Sequence, residues 1–179
     1  MTEKIAVVAL NGFLGDRRGH LDVGELVNAR AIMAGVPFYT RPRGGPEHGG
    51  WKPFAKRRLR RWIAAKLSAG YDLVFVGKSF GAHWILDFLD APAPTLLMHS
   101  HALLFDPAHS LTRGQDDLRT LPFGFTDRIT VVRQTGFRSG YRVSGARDVV
   151  IKAKHKDIES RRPALLELHA FLDQHLGHP

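Results

Sequence analysis

Residues Gly77-Lys78-Ser79-Phe80-Gly81 set a serine between two glycines, after the apolar run Leu73-Val74-Phe75-Val76 and before the apolar run from Ala82 to Leu89. That order reads as strand, tight turn and helix, with the Ser79 hydroxyl standing exposed at the turn. The glycines have a steric reason, because the turn strains the backbone and brings neighbouring segments close enough to collide with side chains at 77 or 81. A phosphate loop is a poorer reading of Gly77-Lys78-Ser79. Its first glycine would fall at Asp72, and residues 73–76 read as strand. The chemistry on offer is nucleophilic. A serine hydroxyl attacks poorly at neutral pH unless an imidazole takes its proton, and the imidazole needs an acid to hold its tautomer.

Catalytic groups of open α/β sheets lie at the carboxyl ends of the strands, which ranks the candidates by position. His155 fits as general base and then general acid, since it follows the strand-like run Val149 to Ala153 and precedes a helix-like run. His83 falls inside the helix after Ser79, and His169 and His175 fall inside the last helix. Asp106 is the favoured acid, at the end of a strand and held by Pro107. Asp148 precedes a strand, Asp157 is too near His155 in the chain to reach its far ring nitrogen, and Asp116 and Asp117 stay open as loop carboxylates. A metal site on His99, His101, Asp106 and His109 is a competing arrangement that leaves the Ser79 turn unexplained. No metal and no cofactor are expected. His99 and His101 are expected as satisfied polar groups near the mouth of the site.

Strand-like and helix-like runs alternate along the chain, so an α/β fold is expected, with a mostly parallel sheet of about six strands and helices on both faces. Strands are expected at Lys4 to Leu10, Pro37 to Thr40, Leu73 to Val76, Thr95 to His101, Ile129 to Gln134 and Val149 to Ala153. Helices are expected at Leu21 to Ala34, Phe54 to Ala69, Ala82 to Leu89, and from a Ser160 cap with Pro163 in the first turn to about Leu176. Loops are expected from Arg41 to Pro53 and from His109 to Asp127. No linker or repeat divides the chain.

Ser79, Asp106 and His155, in that order, resemble the nucleophile, acid and base of the α/β-hydrolase superfamily. The likeness covers nearly the whole chain and implies a three-layer sandwich, a single domain over residues 1–179, and a compact serine hydrolase without a helical cap. It implies a Ser-His-Asp triad working through an acyl-enzyme intermediate on a carboxylic ester or thioester. It also implies an oxyanion hole from the backbone N–H groups of Phe80 and Phe13, the latter in Asn11-Gly12-Phe13. Asn11 stands where the family usually has His, and Lys78 where His often precedes the serine, so no esterase subfamily is carried over. The acid follows the strand after the elbow, as in a known variant of the family. The segment from Gln134 to Gly140 holds no carboxylate. Without a cap the pocket should be open, rimmed by Arg41, Arg43 and Trp51, with His48 and Lys52 nearby, which suits an acidic or amphiphilic acyl substrate.

The 179 residues carry a net charge of +9, and residues 41–66 hold nine Lys or Arg against the single acid Glu47. Besides a small-molecule acyl substrate, the expected partner is an anionic surface or polymer meeting 41–66; a solvated helix face is the plainer alternative. A hydrolase-like module that has lost activity and binds an anion through this segment is the alternative function. No pattern for sequence-specific nucleic-acid recognition is present. Cysteine is absent, which rules out disulfides and thiolate chemistry and suits a cytoplasmic protein. The run Ile5 to Leu10 is too short for a signal-peptide core or a membrane span, and a strand is expected there.

Overall fold

Strands with both faces covered must be apolar at every position, and β1 (Ile5–Leu10) and β3 (Asp72–Lys78) are buried along nearly their whole length for that reason. In the computed structural model, residues 4–12, 23–40, 53–90, 96, 98–108, 118–121, 127–135 and 140–177 are described. The other elements are α1 (Val23–Met33), β2 (Phe38–Thr40), α2 (Pro53–Ser68), α3 (Phe80–Leu89), β4 (Ser100–Phe105), β5 (Leu118–Arg119), β6 (Ile129–Gln134), β7 (Arg142–Val143), β8 (Arg147–Ile151), a 3-10 helix (His155–Ser160) and α4 (Arg162–Leu176). Six strands form one parallel sheet in the order β2-β1-β3-β4-β6-β8.

Period-two alternation along each strand supplies two separate cores. Ala6, Val8, Leu73, Phe75, Ala102 and Leu104 meet α2 and α3 on one face, where Leu59 and Ile63 of α2 are buried. Val7, Ala9, Val74, Val76, Leu103 and Phe105 meet α1 and α4 on the other. The repeats Val23, Val27, Ala31 and Ala164, Leu168, Leu172 place one residue per turn on the sheet-facing stripe of each helix. Each fully buried leucine contributes roughly 1.5–3 kcal/mol. α1 stops where Gly35 takes φ 64° and Val36 N–H returns to Ala31 O at 3.1 Å.

The register sets the site. Leu10 pairs with Gly77, Lys78 with Phe105, and Phe105 with Val132. The carboxyl ends of β1, β3, β4 and β6 are therefore level, and the chain leaves them side by side. Gln134 pairs with Ile151, so β8 delivers His155 to the same rim four residues later.

Several boundaries differ from expectation; β8 ends at Ile151 rather than Ala153, and α3 opens at Phe80 rather than Ala82. β4 begins at Ser100 rather than Thr95, because its pairing with β3 starts at Leu73 opposite Ser100; Leu96 is buried before it, and Met98 is helical and exposed. An apolar run such as Leu96-Leu97-Met98 cannot be told from a strand by composition. His99 and His101 consequently stand at the amino end of β4, opposite the rim that holds Asp106, and not at the mouth of the site. β8 begins two residues early, because Asp148 lies within it and accepts two bonds from Arg133 of β6, at 2.8 and 2.6 Å. Ser160 closes the 3-10 helix, donating from Oγ to Asp157 O at 2.9 Å, and Arg161 caps α4. The segment expected to be loop from His109 to Asp127 also contributes β5, which pairs with β7 in a separate two-stranded ribbon.

Candidate active site

Ser79 sits between β3 and α3 with φ 53° and ψ −118°, a conformation that costs a non-glycine residue roughly 1–3 kcal/mol. Its neighbours enforce it. Ser79 N–H donates to Phe105 O at 2.8 Å, and Ser79 O accepts from His83 N–H at 3.0 Å and Ala108 N–H at 3.2 Å. A Cβ at Gly81 would fall 2.2 Å from Leu10 O, and one at Gly77 would fall 2.6 Å from Ile85 Cδ1. Gly81 lets α3 start against the end of β1, and Gly77 lets the first turn of α3 lie close over β3.

Asp106 leaves β4 with φ 45°, which aspartate tolerates better than most residues, and it is fully buried. Its N–H donates to Val132 O at 2.7 Å. Oδ1 accepts from Gly140 N–H at 2.6 Å and, at 3.5 Å, from Gln134 N–H. Oδ2 accepts from Nδ1 of His155. A carboxylate only accepts, so Nδ1 carries the proton and the lone pair of Nε2 points away from Asp106. Nε2 lies 2.7 Å from Ser79 Oγ. His155 opens the 3-10 helix with its side chain about a quarter exposed, while Ser79 is 6% exposed. The three sequence-predicted residues thus form one hydrogen-bonded line.

The competitors are engaged elsewhere. Asp148 pairs with Arg133, and the ring of His83 lies 5.8 Å from Phe80 and 5.7 Å from Tyr141. His169 is exposed on α4, and the ring of His175 lies tilted against that of His101, 4.3 Å between centres. Burial, and then the charge of His101, lower the His175 pKa to about 4. Asp157 lies in the 3-10 helix, and Asp106 occupies the Nδ1 side of His155. Among the described residues no group of three His, Asp or Glu is placed to hold a metal ion. Asp116, Asp117 and His109 lie outside the described residues.

Phe80 opens α3 directly after Ser79. Phe13 lies outside the described residues, but Gly12 before it sits beside Ser79: a Cβ at Gly12 would fall 2.9 Å from Ser79 Cβ. Arg41, Arg43 and Trp51, with His48 and Lys52, also lie outside them. Sequence reasoning missed Gly140 and Tyr141. Gly140 follows Asp106 by thirty-four positions, and nothing in its local sequence signals a bond to a carboxylate. Tyr141 faces His83 and carries Arg119 over its ring at 5.7 Å, while Arg119 reaches Asp87 of α3 at 3.2 Å, so the β5–β7 ribbon is fastened to the elbow helix.

A parallel sheet between two helical layers, with a serine at a positive-φ turn after its third strand, is the architecture of the α/β hydrolases, and this chain has that fold. No protein-family model matches the chain, and no curated protein matches its sequence. Solved structures do. It is similar to a cutinase-like protein from Cryptococcus sp., at 15% identity over 97% of this chain and 95% of that one, with a TM-score of 0.57. It is similar to a protein of Xanthomonas campestris assigned as a hydrolase of the alpha/beta superfamily, at 13% identity over 96% and 98%, with a TM-score of 0.52. A protein of Lactobacillus plantarum assigned as a carboxylesterase matches at 13% identity over 99% and 87%, with a TM-score of 0.51.

Proposed function

We propose that this protein is a serine hydrolase acting on a carboxylic ester or thioester. The observation that carries the reading is the unbroken line from Asp106 through His155 to Ser79, ending at a strained serine. Ser79 Oγ attacks the acyl carbonyl as His155 Nε2 takes its proton, and Asp106 stabilises the imidazolium that forms. The carbonyl oxygen becomes an oxyanion facing the N–H of Phe80, with Phe13 as the second donor on sequence grounds. His155 then gives the proton to the departing alcohol or thiol, leaving an acyl group on Ser79. Water, deprotonated by the same nitrogen, attacks the acyl-enzyme; the acyl–Oγ bond breaks, His155 returns the proton to Ser79 Oγ, and the carboxylic acid leaves. Arg41, Arg43 and Trp51 are assigned to the substrate rim because they follow β2 at its carboxyl end.

Intact-mass labelling with a fluorophosphonate tests the proposal. One adduct is expected on the native protein and none on Ser79→Ala or His155→Ala. Absence of an adduct on the native protein, at a concentration that labels a control serine hydrolase, would overturn it.

A further inference from the structure

α2 breaks two local rules in the same place. Its sequence, PFAKRRLRRWIAAKLS, contains no acid, and its basic residues crowd the first half of the helix, where the macrodipole disfavours cations. Arg57 lies three and four positions from Arg60 and Arg61, and Arg58 lies three from Arg61, so like charges face each other along the surface. Arg57, Arg58, Arg60 and Arg61 are all exposed. Among the described residues none of them has an acidic partner, and only Arg60 lies over a ring, 5.7 Å from the centre of Phe88. The neighbouring lysines differ. Lys56 lies 3.4 Å from Asp87 and 4.6 Å from the Trp84 ring, and Lys66 lies 4.9 Å from the Tyr71 ring. Repulsion that is left uncompensated in the free protein, and confined to one exposed helical turn, is relieved by a partner that brings negative charge. Guanidinium groups match phosphate oxygens in paired hydrogen bonds.

We propose that α2 is a docking surface for an anionic phospholipid bilayer. Beyond the arginines, the exposed side chains of residues 56–68 are those of Ala64, Ala65 and Ser68, while Trp62 turns inward onto Tyr39, 5.7 Å between ring centres. Residues 56–68 therefore expose no aromatic platform for bases and no amide side chain to read their edges, which disfavours a nucleic acid. Among residues 56–68 no large apolar side chain is exposed, so the contact these residues make is electrostatic and peripheral. The arginine half of α2 is also the half nearer the carboxyl rim of the sheet, since Ser68 leads through Tyr71 into the amino end of β3. Docking there keeps Ser79 at the end of the molecule that meets the lipid. The surface does not depend on the catalytic reading, and its test is separate from it.

The test is co-sedimentation with vesicles of phosphatidylcholine alone and with about 30% phosphatidylglycerol. Binding is expected only to the anionic vesicles, and it should fade as salt rises from about 0.1 M towards 1 M. Each arginine near an anionic leaflet contributes about a factor of five, so R57E/R61E should bind at least about 20-fold more weakly. Glutamates suit the first half of a helix, so the variant should keep its fold; if its far-UV helix signal is lost, R57Q/R61Q replaces it with the same expectation. Equal binding to neutral vesicles, undiminished binding by the variant, or tighter binding to duplex DNA at equal salt would each overturn the proposal. Fluorophosphonate labelling of Ser79 in solution reports on the catalytic reading alone, so a failure of one is not mistaken for a failure of the other.

Discussion

Gly140 donates its backbone N–H to Oδ1 of Asp106 at 2.6 Å, across thirty-four positions of chain, while the other oxygen of that carboxylate faces His155. The two oxygens have separate partners. One anchors the acid to the loop after β6, and the other aims it at the imidazole, so the orientation of the carboxylate plane is fixed by backbone rather than by a flexible side chain.

That division of labour makes Asp106→Asn an informative variant. Asparagine tolerates the positive φ at 106, so the fold should survive. Only its carbonyl oxygen can accept from Gly140, which turns the NH2 towards His155. Nδ1 must then act as acceptor, the ring proton moves to Nε2, and the base faces Ser79 already protonated. Loss of kcat by about 10⁴-fold is expected, with KM little changed. Activity within about tenfold of the native protein would show that Asp106 does not set the tautomer.

Gly140→Ala probes the same bond from the other side. A Cβ there would lie 2.5 Å from the carbonyl carbon of Asp106 and 2.6 Å from Pro107 N and O, all backbone atoms that cannot turn aside. The loop must retreat, and the N–H leaves Oδ1. A displacement near 1 Å at a catalytic group costs about 10² in rate, so kcat should fall about 100-fold with KM little affected. A parallel rise in KM with kcat unchanged would show that Gly140 shapes the pocket instead.

Backbone strain at Ser79 gives a stability prediction with an inverted sign. Alanine normally outranks glycine in folded proteins, but at φ 53° a Cβ is disfavoured by about 1–2 kcal/mol. Ser79→Gly and Ser79→Ala both remove the hydroxyl and its bond to His155, so their difference isolates the strain. Ser79→Gly should be the more stable by about 1 kcal/mol, read as the difference in denaturant midpoints at equal slope. Equal midpoints would mean that the turn relaxes when the hydroxyl is gone.

What the sequence disclosed, and what it hid, follows from the range of each interaction. The Ser79 turn was legible because strand, turn and helix are consecutive and each part has its own local signal. Asp106 and His155 were legible by position, since parallel strands place their following residues at one rim. The start of β4 was not legible, because Leu96, Leu97 and Met98 satisfy a strand or a helix equally, and only pairing with β3 decides. Asp148 reads as preceding a strand but lies inside β8, paired with Arg133 in a contact that composition does not announce. Gly140 was invisible for the same reason. Its role is a backbone contact with a residue far away in the chain, and glycines in loops have many other uses.

At the amino end of the sheet, His175 gives a pH dependence whose direction can be worked out. Its pKa falls from 6.5 to about 4, chiefly because burial penalises the charged ring and secondly because of His101, 4.3 Å away between ring centres. A lowered pKa for a base means that the unfolded chain takes up a proton before the folded one does. The contribution of His175 to stability is thus complete above about pH 6.5, declines as the pH falls towards 4, and is lost below that. His175→Leu should remove this component, so the native and variant stability curves should diverge between those limits and run parallel outside them. The ranking of causes can be checked in the same protein. His101→Gln removes the charge but little of the burial, so the His175 titration followed by NMR should move up only part of the way to its ordinary value. Full recovery to that value would make the neighbouring charge, not burial, the dominant cause.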